Sequence, residues 1–440
     1  MGLYFLVFNG VPVRNNLFYE ALCEVESVVW GKKGHIMSKI IENFLVPLFL
    51  VISVLYAFHS FAQNNDTIVL NKAFHHTAPH EGYLEKANIS LYFSGEPQMQ
   101  EVTTNKGNGS SISFFFPKAT ISQGESEAMI HRINSYAGDY KVTITQVNTP
   151  TRGIIVRFDC DPNVYMVNCE QFDSIGLQKG FVFRLYNKEL LTKLERAQDQ
   201  PVLRTLWYQS ADVSEVALAK SEALAKDGHN TLKPRIVIDP GHGGRDTGAI
   251  GCNGIQEKQV CLALGTAVGN ILEQKGCSVM LTRKNDCDMQ LDERTSFAHN
   301  NHADLFVSIH ANYAANPKAI GVETFCMQPS LLKKKYSSLS SEQDSCVGNV
   351  MAQRAQTSYK LAQAVQQNLC NDLSSFHVEC IDRKVKHSVS QVLLGTQMPS
   401  ILVEVGFLSH PKEGRLLHDM QYQNCIAQGI CNGILSALSF

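Results

Sequence analysis

Ile236-Val-Ile-Asp-Pro-Gly-His-Gly-Gly244 decides how the second half of this chain is read. A branched apolar run stops at Pro240, and glycines then surround a histidine. That is a buried strand running into a tight loop. Two later strings have a related form, Phe306-Val-Ser-Ile-His-Ala-Asn312 and Ile401-Leu-Val-Glu-Val-Gly-Phe407. Each is an apolar strand with a polar, chemically active side chain set late in it. Further strands are expected at 278–282 and 321–326. Helical periodicity fills the gaps. After Glu257 the residues Val260, Leu264, Ala267, Val268, Ile271 and Leu272 share one face, and Gly276 closes the helix. Helices are also expected around 291–300 and 357–373, with a last one carrying Ile426, Ile430 and Ile434. Such alternation predicts an α/β fold for 234–440: a twisted, mostly parallel sheet flanked by helices.

In an open α/β sheet, ligands collect at the carboxyl ends of the strands. His242, His310 and Glu404 can therefore reach one edge, and Glu257 enters from the start of the following helix. Glycines 241, 243, 244, 248, 251 and 254 allow the loop to bend tightly. Three of the four residues can close around one Zn2+ ion, and the fourth can activate water in the open position. Two imidazoles with one carboxylate lower the pKa of bound water, and a second carboxylate moves its proton. Together these describe hydrolysis of an amide. HExxH and the GxxxxGK[ST] phosphate loop are both absent. Other readings stay open at this level. Glu257 also suits a helix N-terminus. Arg283 and Arg294 either orient substrate or brace the sheet. Asn312 either bonds substrate or fixes the loop after His310. His299 and His302 are expected to be solvated.

The strings Asp239-Pro-Gly-His-Gly-Gly244, Gln256-Glu-Lys258, Thr282-Arg283, Asp292-Glu-Arg294, Asp304-Leu-Phe-Val-Ser-Ile-His-Ala-Asn312, Gly321-Val-Glu323 and Pro399-Ser-Ile-Leu-Val-Glu-Val-Gly-Phe-Leu-Ser409 resemble the zinc-dependent N-acetylmuramoyl-L-alanine amidases of bacterial cell walls. The resemblance covers about residues 235–438. It implies that His242, Glu257 and His310 hold zinc and that Glu404 is the catalytic carboxylate. The implied substrate is peptidoglycan, cut between N-acetylmuramic acid and L-alanine, with an activator protein as a further partner. The implied setting is wall remodelling or cell division. Two departures stand out: His410 replaces a common Asn, and 387–391 lacks the usual aromatic. Residues 327–356 form an insertion. Relatives can place an inhibitory helix there, with a Glu on the zinc, which makes Glu342 a candidate autoinhibitory residue.

The first half reads differently. Lys32, Lys33 and Lys39 precede an uncharged apolar run at 44–58, followed by Ser60-Phe61-Ala62. This is a secretory signal over 37–62 with cleavage after Ala62, Met37 as the start and 1–36 as an upstream extension. The expected location is the periplasm; an uncleaved membrane anchor is the alternative, although the run is short for a span. Residues 63–86 are expected as a polar tether containing His75, His76 and His80. Residues 87–188 carry alternating runs broken by Gly, Asn and Pro, an all-β pattern. Leu91-Tyr-Phe-Ser-Gly95, Arg157-Phe-Asp159 and Phe183-Arg-Leu185 give this region a resemblance to AMIN domains. Residues 189–233 read as a helical or flexible linker. Lys and Arg number 39 against 41 Asp and Glu, a balance that offers nucleic acid nothing to bind. Of 13 cysteines, Cys160 with Cys169 and Cys370 with Cys380 are close enough in sequence to pair.

Overall fold

The computed structural model describes residues 68–78, 83–105, 110–136, 138–148, 151–173, 179–196, 233–252, 254–375 and 381–438. The export signal, His80, Cys380 and most of the 189–233 linker lie outside them.

Among the described residues, nine strands precede position 190. They are β1 (Ile68–Thr77), β2 (Glu85–Phe93), β3 (Gln100–Asn105), β4 (Ser110–Pro117), β5 (Ala119–Ile121), β6 (Tyr140–Val147), β7 (Gly153–Cys160), β8 (Tyr165–Asp173) and β9 (Lys179–Asn187). Two helices join them, α1 (Glu125–Ser135) and α2 (Lys188–Arg196). One sheet runs β3-β4-β7-β6; the other includes β8-β9-β2-β1-β5. Their facing sides share a core in which Phe114, Phe116 and Phe158 pack against Phe93, Phe181 and Phe183. Phe93 and Phe116 lie 5.0 Å apart, and Phe114 and Phe183 4.9 Å, both tilted as aromatic quadrupoles prefer. The region is not purely β. Ile130 and Ile133 of α1 are buried in that same core. Nor is 68–77 a tether: it pairs with β2 over Leu70–Thr77, and His75 and His76 are buried in it.

Burial separates the two sheets. β6 alternates in the manner of a half-buried strand. β2, β8 and β9 are buried at nearly every position, which means both faces are covered. The second cover is the remainder of the chain. It holds β10 (Arg235–Pro240), α3 (Glu257–Gln274), β11 (Ser278–Leu281), α4 (Leu291–Asn300), β12 (Leu305–Asn312), β13 (Val322–Cys326), β14 (Lys333–Ser337), α5 (Ser341–Ser375), β15 (Asp382–His387), α6 (Gln391–Gly395), β16 (Ser400–Phe407), α7 (Glu413–Leu416) and α8 (Met420–Leu438). Six of these strands form one sheet, ordered β11-β10-β12-β16-β13-β15. Four of its five pairings are parallel, and β13 against β16 is antiparallel. One face, with Ile236, Ile238, Val307, Ile309, Val322, Val403 and Val405, buries against α3, α5 and α8. The period of two sends Val237, Phe306, Phe325 and Leu402 to the other face, which packs with α4, α6 and Tyr186 of β9.

The insertion at 327–356 is the main surprise. β14 leaves the catalytic sheet and extends the N-terminal one, antiparallel to β8 from Lys333–Gln171 to Ser337–Asn168. Ser340 and Gln343 then cap each other's backbone N–H groups at 3.2 and 3.1 Å, a capping box that starts α5 at Ser341. The long helix therefore begins sixteen residues before 357. Polar contacts also tie the two halves. His76 Nδ1 lies 2.7 Å from Thr295 Oγ1, Asn88 donates to the Leu394 carbonyl at 2.9 Å, and Tyr83 donates to the His299 carbonyl at 2.9 Å. His299 is consequently buried, not solvated, and burial pushes its pKa down to about 3. Cys160, at the end of β7, and Cys169, within β8, are free thiols in this structure.

Candidate active site

Strand register sets out the site. His310 of β12 is paired with Glu404 of β16, and Glu404 with Glu323 of β13. Residues directly opposed across strands share a face, so these three form a row. His242 follows β10, in a loop whose Gly241 N–H donates to the Ile309 carbonyl at 3.0 Å. Glu257 opens α3 and turns back toward both histidines. His242 Nε2 lies 3.0 Å and His310 Nδ1 2.9 Å from Glu257 Oε1. One ligand atom from each of His242, Glu257 and His310 falls within 4.8 Å of the others. Glu257 thus both opens α3 and stands within the three-donor cluster.

The loop is built to hold that cluster. His242 has a φ of +59°, a conformation that non-glycine residues seldom adopt. Its carbonyl accepts a hydrogen bond from Arg294 Nη2 at 2.7 Å, which holds the strained position. Arg294 Nη1 reaches Asp239 Oδ1 and the Pro240 carbonyl, both at 2.8 Å. Arg283 donates to the carbonyls of Pro240 at 3.0 Å, Gly241 at 2.7 Å and Lys258 at 2.8 Å. At 2% and 3% exposure, Arg283 and Arg294 brace the loop and are not available to substrate. Asp239, fully buried, also accepts from Thr282 at 2.6 Å and Ser308 at 2.8 Å. Burial alone would raise its pKa; Arg294 and the two hydroxyls hold it below the usual range. Gly241 and Gly248 permit the close approach. A Cβ on Gly241 would stand 2.5 Å from His310 Nε2, and one on Gly248 2.6 Å from Glu257 Oε2.

The acids at the site behave in opposite ways. Burial disfavours charge on Glu257, yet hydrogen bonds from both histidines keep it well below the ordinary range. Its Oε2 accepts from the Ala249 N–H at 2.9 Å. Burial, with like charge from Glu257 and Glu323, pushes Glu404 well above the ordinary range. Glu404 Oε2 is buried and has no hydrogen-bond partner. A buried acid without a partner is costly and marks a functional position.

Asn312 belongs to the framework, since its Nδ2 donates to Glu323 Oε1 at 2.8 Å and its Oδ1 accepts from the Tyr313 N–H. Glu342 stands exposed in the first turn of α5, where backbone N–H groups lower its pKa. It is a helix-start acid in this structure and lies outside the His–Glu–His cluster. Asp246 went unread in the sequence. Its Oδ2 lies 2.7 Å from His242 Nδ1, where a carboxylate orients the imidazole. An acid four residues beyond His242 in a glycine-rich loop was the available signal.

Comparison with known proteins agrees with this geometry. Residues 236–436 match the profile of the N-acetylmuramoyl-L-alanine amidase family. N-acetylmuramoyl-L-alanine amidase AmiA of Salmonella typhimurium is 35% identical over 243 residues, which cover 50% of this chain and 84% of that protein. AmiA of Escherichia coli K12 gives the same identity and coverage. Among solved structures, amidase AmiC2 of Nostoc punctiforme is 32% identical, with a TM-score of 0.40 over 48% of this chain and 100% of that one. With a matching profile across its second half, and most of a curated amidase covered at this identity, the chain belongs to the N-acetylmuramoyl-L-alanine amidase family.

Proposed function

We propose that this protein hydrolyses the amide between N-acetylmuramic acid and L-alanine in peptidoglycan, with one zinc ion held by His242, Glu257 and His310. The supporting observation is a three-donor cluster beside a buried, partnerless acid on the neighbouring strand. Two imidazoles and one carboxylate suit zinc and leave a position open. The orphaned Glu404 oxygen suits a site where a donor arrives with the ligands. When bound, the ion supplies Lewis acidity to water and to the scissile carbonyl.

The chain's own residues account for the remaining chemistry. Asp246 fixes the tautomer and the tilt of His242. Arg283 and Arg294 hold the loop carbonyls so that the histidine keeps its strained backbone. Glu404 accepts the proton of the attacking water and returns it to the amide nitrogen as the C–N bond breaks. The products are a lactyl carboxylate and a free peptide amine. A carboxyl beside the water, with its pKa raised by burial and by like charge from Glu257 and Glu323, is suited to carry that proton.

We also carry the export signal over 37–62, periplasmic action in wall remodelling or cell separation, and an AMIN-like role for the N-terminal β region as proposals. Among the described residues no helix is long and apolar enough to cross a membrane. Mass analysis of peptidoglycan digested by the zinc-loaded protein tests the activity. Free stem peptides are expected. Shortened stems would indicate a peptidase, and unchanged muropeptides a binding protein. N-terminal sequencing of the secreted protein tests cleavage, with Gln63 expected first.

A further inference from the structure

The row formed by His310 and Glu404 continues to Glu323, which is 4% exposed. Its Oε1 is taken by Asn312. Its Oε2 receives two cations from the edge strand β15: Arg383 Nε at 2.8 Å and Lys386 Nζ. One buried carboxylate thus answers two positive charges beside Glu404. Arg383 is fixed a second way, with its guanidinium carbon 4.8 Å above the ring centroid of Phe407. Phe407 lies three residues beyond Glu404 on β16. The Arg383 side chain is 33% exposed, and Nε is its hydrogen-bonding atom toward the protein. Among the described residues its two terminal amino groups make no hydrogen bond, leaving a planar fork held by an ion pair and an aromatic face.

We infer that Arg383, held by Glu323 and Phe407, is a carboxylate-binding subsite for the peptide part of the substrate. The inference rests on the amidase reading above. In that substrate the scissile amide consumes both the lactyl carboxyl and the amino group of the peptide. Free carboxylates therefore remain on the peptide side, as side-chain or terminal groups. A guanidinium with two free amino groups matches a carboxylate bidentately, which an ammonium cannot do. Because the fork is already immobilised, little side-chain freedom is lost on binding. Lys386, 40% exposed and also on Glu323, adds charge without a fork.

The test compares two synthetic substrates for the zinc-loaded, full-length protein: muramyl-L-alanyl-glutamate, and the same compound with its carboxyls converted to carboxamides. A charge-assisted bidentate contact predicts a kcat/KM ratio favouring the carboxylate by about 10- to 100-fold, expressed in KM. R383Q should bring that ratio toward one, and R383K should restore it in part. A ratio is insensitive to how much of a variant has folded, so a purely structural role for Arg383 would leave it unchanged. A wild-type ratio near one, or an R383Q ratio equal to wild type, overturns the subsite. Cleavage of neither substrate by the wild type is a separate result. It overturns the amidase reading, and the subsite with it.

Discussion

Gly241→Ala isolates the geometry of the site from the stability of the fold. Gly241 is absent from the residues with positive φ, so alanine fits its backbone. Stiffening of the unfolded chain favours folding by roughly 0.4–1 kcal/mol and offsets part of the roughly 1–3 kcal/mol that overpacking costs. The new methyl would stand 2.5 Å from His310 Nε2 and 2.7 Å from Nδ1, where ordinary contact begins near 3.4 Å. The imidazole must then retreat by about 1 Å (3.4 minus 2.5), because β12 is fixed between β10 and β16. A displacement of that size at a reacting centre costs on the order of 100-fold in rate. The assay pairs stem-peptide release with zinc content by mass spectrometry and a thermal melt. Activity should fall by roughly 100-fold with reduced zinc retention, a loss far larger than the modest drop in melting temperature that overpacking brings. Wild-type release and full zinc content in Gly241→Ala would refute the placement of His310 against this loop.

Other outcomes follow from the same coordinates. Glu404→Gln should lower turnover by at least roughly 100-fold and leave zinc stoichiometry unchanged, because it removes the proton carrier without touching a ligand; metal analysis beside the release assay checks both. Arg294→Met strands Asp239, whose side chain is 1% exposed, and should cost about 3 kcal/mol in urea denaturation. Glu413, 4% exposed, has its pKa pushed by burial from 4.5 up to about 7 despite hydrogen bonds from the N–H groups of Phe407 and Gly321. A raised folded-state value means that the protonated form is the stable one. Its contribution is complete below about pH 4.5 and is lost as pH rises through about 7. Wild type should therefore lose roughly 3 kcal/mol relative to Glu413→Gln between pH 4.5 and 8, and parallel pH–stability curves for the two would reject the assignment.

The legible parts of the fold were those whose signal is local. β10, β12 and β16 are continuous apolar runs because both of their faces are covered, and the polar residue set late in β12 and β16, with His242 just past β10, is the one that reaches the site. Strand order and register could not be read, yet they put Glu323 beside Glu404. β15, Asp382-Arg-Lys-Val-Lys-His387, resembles a loop in sequence because it is an edge strand rich in charge, with Lys384 facing solvent and Arg383 and Lys386 on the buried Glu323. β1 was read as a tether since Asn71, Lys72, His75 and His76 obscure its alternation. The hydrogen-bond partners of its buried His76 lie 219 and 315 positions away, and that of His75 lies 65 away. The start of α5 was signalled by Ser340 and Gln343 but was obscured by the serine-rich stretch before it. Arg283, Arg294 and Asn312 carry side chains that suit substrate; only their hydrogen bonds reveal that they serve the loop.

The strand that the catalytic half lends to its neighbour makes position 234 a poor seam for modular rearrangement. Excising everything before it would orphan Lys333–Ser337 and strip the cover from Val237, Phe306 and Met351, turning a folded interface into sticky surface. Recombination that swaps one half for a homologous counterpart must preserve a matching sheet edge across the joint. The two halves are thereby bound to change together over evolutionary time, as mortise and tenon cut from one plank.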